Sequence, residues 1–143
     1  MTDTTATSGR VSPDGYVQAV VAALGYRGVQ AGHVHTRTIP ARHAIVSLTE
    51  VDPISTMWRA ADWIGLSWRD DRGWALHVQW RGEPAPRAPL GFAVATAPSP
   101  DELAAWVVLC LIHPDLTVRE DDTPITTPDL EEVLRAYPAN TAG

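Results

Sequence analysis

The sequence predicts an α+β fold: a mainly antiparallel five-stranded sheet with helices on one face, in the order α-β-β-β-β-β-α-α. Three observations predict it. Proline-headed helix starts stand at Ser12-Pro13-Asp14, Ser99-Pro100-Asp101 and Thr127-Pro128-Asp129. Period-two apolar patterning fills much of the stretch between the first two. The links between the patterned stretches are short and rich in turn formers, so consecutive strands run antiparallel.

With 143 residues, 45% of them apolar, the chain has material for one packed core. Residues 1–11 are Thr/Ser-rich and read as a tail, 12–137 as a single domain and 138–143 as a C-terminal tail.

The first helix opens on a cap hydroxyl, a proline at the first helical position and an acid in the positive first turn. It is expected to run to Leu24 and stop at Gly25, with Tyr16, Ala19, Val20, Ala23 and Leu24 on one face. Strands are expected over 29–36 and 43–51, paired through a loop at 38–42. If that hairpin centres on Ile39, His35 lies opposite His43. Residues 52–61 make a connection with room for a short helical turn.

The clearest hairpin joins 63–69 to 73–80 through Asp70-Asp71-Arg72-Gly73. If Trp68 faces Trp74, then Leu66 faces Leu76 and Ile64 faces Val78. One face is then apolar, and Ser67, Arg69, His77 and Gln79 point the other way, which sets the register. Pro84 to Pro89 is a stiff extended loop with a PxxP spacing at Pro86–Pro89. Residues 91–97 are expected to form the fifth strand.

The helix over 99–113 starts with a capping-box pair, Ser99 and Glu102. It is apolar nearly all round, a pattern that demands burial on more than one side, under the last helix or another chain. The last helix carries Leu130, Val133, Leu134 and Tyr137 along one stripe.

Composition excludes several classes of function. Net charge is −6 with no basic run, which argues against nucleic acid and anionic membrane surfaces as partners. All 11 cationic side chains are Arg. No P-loop, Schiff-base or kinase-type lysine can exist here. One Cys permits no internal disulfide and fits a reducing cytoplasm. The N-terminal residues do not read as a signal peptide, and the apolar run from Leu103 to Ile112 falls well short of the roughly 20 residues a membrane span needs.

Four constellations carry possible chemistry. His33, His35 and His43 could face one another on a strand pair and hold zinc with an open fourth position; a polar, solvent-facing sheet surface accounts for them without metal, and no H-E-x-x-H arrangement is present. Cys110 and His113 have nucleophile-and-base spacing, but Cys110 stands in Leu109-Cys110-Leu111-Ile112, where an apolar setting makes a thiol inert. Asp70 and Asp71, with Asp62 nearby, suit a cation or a basic partner, yet turn chemistry accounts for the first two. The chain also holds 6 Trp. Trp68, Trp74 and Trp80 fit the core face of the hairpin. Trp106 fits a helix stripe with Leu103, Val107 and Cys110. Trp63 has the wrong parity for the core, and Trp58 lies in a connection. Trp58, Trp63, Trp106, Val108 and Ile112 are therefore the candidate partner-binding residues.

Tyr16-Val17-Gln18-Ala19-Val20, the stretch from Trp63 to Trp68 followed by Asp71-Arg72-Gly73-Trp74, and Gly91 to Pro98 leading into the helix together resemble a small streptomycete-type actinobacterial domain of unknown function. The resemblance covers residues 13–113 and implies no active site. The region after Pro114 stands outside it.

These readings favour a non-enzymatic cytoplasmic protein-interaction domain, adaptor-, chaperone- or immunity-like, binding a protein partner or itself. No cofactor is expected. Two alternatives stay open: a small metal-dependent enzyme using His33, His35 and His43, and a Trp-lined small-molecule site.

Overall fold

The computed structural model describes residues 11–38, 41–50, 61–82, 91–92, 95–113 and 129–137. Helix α1 (Asp14–Tyr26) leads into β1 (Gln30–Arg37), β2 (His43–Glu50), β3 (Ala61–Arg69) and β4 (Gly73–Trp80). Helices α2 (Pro100–Ile112) and α3 (Leu130–Arg135) follow. The strands form an antiparallel meander in which each pairs with the next.

The expected five-stranded sheet is corrected to four strands. Where a fifth was expected over 91–97, Gly91 and Phe92 are the residues described as pairing with β4, opposite Leu76 and Ala75. Residues 95–97 form bends. Two long-range contacts set that course. The Trp68 indole N–H donates to the Thr96 carbonyl at 2.8 Å. The Ala95–Thr96 backbone also crosses Gly73 so closely that a Cβ there would stand 3.0 Å from the Ala95 carbonyl oxygen.

Helix α1 passes through Gly25 and ends two residues later than expected, before Arg27. Gly28 takes the left-handed conformation at φ 86°, which the missing Cβ permits. The Gly28 N–H donates to Gly25 and the Val29 N–H to Leu24, which turns the chain into β1. Helix α2 starts on the expected capping box, the Glu102 N–H donating to Ser99 Oγ at 3.2 Å. Of α3, only residues from Asp129 on are described; its expected start at Thr127-Pro128 lies outside the described residues, as do the connection over 52–60 and the proline-rich loop.

The β3–β4 register matches expectation: Trp68 pairs with Trp74, Leu66 with Leu76 and Ile64 with Val78. All six are buried, with both Trp residues at 0% exposure. Ala44, Val46 and Leu48 extend this face across β2. Tyr16, Val17, Val20 and Leu24 of α1 pack on it with Leu103, Val107 and Leu111 of α2 and Leu130 and Leu134 of α3. Trp80 is only partly buried at the edge of this cluster.

The β1–β2 hairpin is corrected by one residue. Arg37 pairs with His43 and His35 with Ile45, so the hairpin centres on residue 40. A register shift between Ala31 and Val34 sets Gly32 and His33 apart from regular pairing.

Candidate functional site

The helices cover one face of the sheet, and the polar side chains gather on the other. Alternation along each strand puts the odd-numbered residues of β2 and β3 on that outer face, because Ala44, Val46, Leu48, Ile64, Leu66 and Trp68 fill the inner one.

Two side-chain pairs brace its middle. Trp63 Nε1 donates to Ser47 Oγ at 3.0 Å. The indole lies flat over Gly65, where a Cβ would stand 2.2 Å from its ring carbon Cζ2. Trp63 is thus half-buried on the outer face, as its parity requires. Nearby, Ser67 Oγ and His77 Nε2 are hydrogen-bonded at 2.7 Å. Desolvation holds the His77 pKa below the usual imidazole value.

At the hairpin end, Arg37, His43 and Arg69 occupy one cross-strand row on β1, β2 and β3. Arg37 Nε donates to His35 Nε2 at 3.4 Å. The His35 and His43 ring centroids are 6.3 Å apart, a diagonal arrangement instead of the directly opposed one expected. Arg69 Nε reaches Asp71 at 3.5 Å. His33 is exposed on the irregular part of β1. Among the described residues no three His, Cys, Asp or Glu groups are placed to hold a metal ion. The other two turn-region acids differ in surroundings: Asp70 pairs with the buried Arg42 at 3.2 Å, while Asp62 is exposed at the far end of β3.

The residues from the helix expectation divide. Trp106 is half-buried against the core, its indole N–H shielded from water and without a hydrogen-bond partner among the described residues. Val108 is half-buried, and Ile112 is 46% exposed beside Leu109 at 42%. Trp58 lies outside the described residues. Cys110 is buried, and desolvation pushes its thiol up to about 11, far from a reactive thiolate.

A groove of about 390 Å³ runs between α1 and β1, lined by Asp14, Val17, Gln18, Val21, Val34 and Thr36. Among the described residues its lining holds no Trp, and the Asp14 carboxylate in it accepts a hydrogen bond from the Thr36 hydroxyl. The sequence reading expected a small-molecule site lined by Trp, whereas the residues named here line the groove with none. No described helix is long and apolar enough to cross a membrane.

Residues 16–108 match the family of unknown function DUF6292. The chain belongs to this family. The matched stretch contains most of α1, all four strands and α2 as far as Val108. It includes the Arg37–His43–Arg69 row and excludes Leu109, Ile112 and α3. Membership fixes the family and no activity. No curated protein and no solved structure matches the chain.

Proposed function

We propose that this chain is a non-enzymatic protein-interaction domain that associates with a second copy of itself through α2. The observation that carries the reading is the exposure of Leu109 at 42% and Ile112 at 46% on a helix whose opposite side is in the core. Ala105, Leu109 and Ile112 fall on one stripe with the half-buried Val108 beside it. A single stripe is self-complementary about a two-fold axis. Antiparallel pairing also sets the acids of one helix start, Asp101 and Glu102, beside the His113 end of the other. The buried free thiol fits a reducing cytoplasm, and the arginine-only cation set fits an actinobacterial source.

Light scattering across a concentration series tests the reading. The intact protein should exceed the monomer mass, and Leu109→Glu with Ile112→Glu should return it to monomer without lowering its melting temperature. A monomer throughout the series, or association that survives the double substitution, would remove this reading.

A further inference from the structure

We infer that the row Arg37–His43–Arg69 is a docking site for an acidic peptide segment of a protein partner. The site lies on the outer sheet face and does not depend on association through α2.

The argument starts from pairing. Arg37 is opposite His43, and His43 is opposite Arg69, so three adjacent strands present basic groups side by side. Two permanent cations, Arg37 and Arg69, thus flank the His43 imidazole on one face. The row stands in a chain of net charge −6, in which acids are plentiful enough to have separated these groups. Yet no described carboxylate forms an ion pair with Arg37, and Arg69 has only Asp71 at 3.5 Å. Asp70, the other acid of the turn, is directed to Arg42.

Each of the two guanidinium groups has a partner on one side. His35 accepts from Arg37 Nε, which leaves the terminal nitrogens of Arg37 for an incoming group. Asp71 Oδ1 lies 3.5 Å from Arg69 Nε as an ion pair, and the Arg69 side chain stays 55% exposed. The His43 imidazole lies between them. Neighbouring strands are about 4.8 Å apart, so the two arginines stand on the order of 10 Å from each other at the backbone. Carboxylates two residues apart on an extended segment are spaced about 7 Å, which flexible arginine side chains span from that separation. Planar guanidinium forks match such carboxylates bidentately.

The choice of a peptide over a nucleic acid follows from the rest of the chain. A long polyanion needs a continuous basic track, and the surrounding net charge of −6 repels it beyond this corner. A short acidic segment meets the row alone.

Fluorescence anisotropy with a labelled hexaglutamate peptide, on the full chain at low and moderate salt, tests the site. Binding should weaken with salt and fall at least tenfold in both Arg37→Ala and Arg69→Ala. Arg27→Ala, which removes an exposed arginine on the helix side, should leave it unchanged. Ring proton signals of His35 and His43 should move on titration while that of His113 stays in place. Melting curves of the two row variants should stay close to that of the parent protein, since both side chains are exposed. Absence of binding at millimolar peptide, equal binding by the row variants, or tighter binding of a single-stranded oligonucleotide of equal charge would each overturn the assignment.

Discussion

Arg42 Nη1 and Glu131 Oε2 meet at 2.6 Å, with the Arg42 side chain only 7% exposed. The pair ties the start of β2 to α3. The same guanidinium bonds Asp70 at 3.2 Å and the Val11 carbonyl at 3.4 Å, and the Val11 N–H donates back to Glu131 at 2.9 Å. Three separate parts of the chain, at Val11, Asp70 and Glu131, therefore converge on one buried cation. Removing one partner of such a network leaves the others desolvated and unpaired.

Arg42→Met should destabilise the protein by about 3 kcal/mol at neutral pH, the low end for breaking a buried pair, because Glu131 remains 36% exposed. Urea unfolding measures it, and a loss under about 0.5 kcal/mol, the scale of ordinary surface changes, would show the network to be incidental.

The same pair makes stability acid-sensitive. Burial raises the Glu131 pKa, but the Val11 N–H and the Arg42 and Arg135 charges outweigh it, so the folded value lies below the ordinary one. The stabilisation is therefore present above the unfolded carboxylate pKa near about 4.3 and is lost as pH falls through the folded value. Glu131→Gln should lower stability at pH 7 and flatten its decline below pH about 4.3. An acid limb identical to that of the parent protein would contradict the assignment.

Gly65 is required by the ring above it. A Cβ at that position would stand 2.2 Å from Trp63 Cζ2, so Gly65→Ala must push the indole off the sheet and break its bond to Ser47. The expected loss is about 1–3 kcal/mol, as for overpacking. The Trp63 indole N–H resonance should lose its protection from exchange with water; an unchanged resonance would mean the ring was never held there.

What the sequence revealed followed the range of the forces involved. The β3–β4 register was legible because parity, apolar matching and a turn all act within one hairpin. The fifth strand was misread because its end is set by Trp68 reaching Thr96, a contact that no local pattern records. Gly25 and Gly28 offer the same freedom to a helix end, and Gly28 is used because Val29 must enter the core at 0% exposure. Arg42 gave no signal, since a lone arginine before a strand reads as surface. The residue types of the basic row were in plain view. A hairpin centred one residue early set His35 against His43 and concealed that Arg37 is the one opposite.

Trp68 and Trp74 are cross-strand neighbours with ring centroids 6.3 Å apart, both at 0% exposure. Replacing either with Ala should lower stability by about 3–5 kcal/mol, the range for a core aromatic. Guanidinium unfolding monitored by circular dichroism reads the loss, and a cost below about 1 kcal/mol would contradict their central place in the core.

Tyr16 joins these two rings to the segment that replaces the fifth strand. Trp74 Nε1 donates to the Tyr16 oxygen at 3.1 Å, and the Tyr16 hydroxyl donates to the Pro98 carbonyl at 2.6 Å. Tyr16→Phe keeps the ring and deletes the oxygen, so one donor and one acceptor lose their partner inside the protein. The expected cost is about 1–3 kcal/mol, more than a neutral hydrogen bond contributes in net terms, because the desolvated groups cannot recover water. Desolvation also raises the Tyr16 pKa, against the weaker opposing effect of the Trp74 bond. A raised phenol pKa leaves stability untouched while both states are protonated. Above pH about 10 the unfolded chain ionises first, and folding then loses stability up to the higher native value. Tyr16→Phe should therefore be less stable than the parent at pH 7 and show a shallower alkaline decline. Chemical denaturation at pH 7, 9 and 10.5 measures both arms. Equal stability at pH 7 would show that the hydroxyl is not part of the core's hydrogen bonding. A parallel alkaline decline would show that the phenol ionises no later in the folded protein than in the unfolded one.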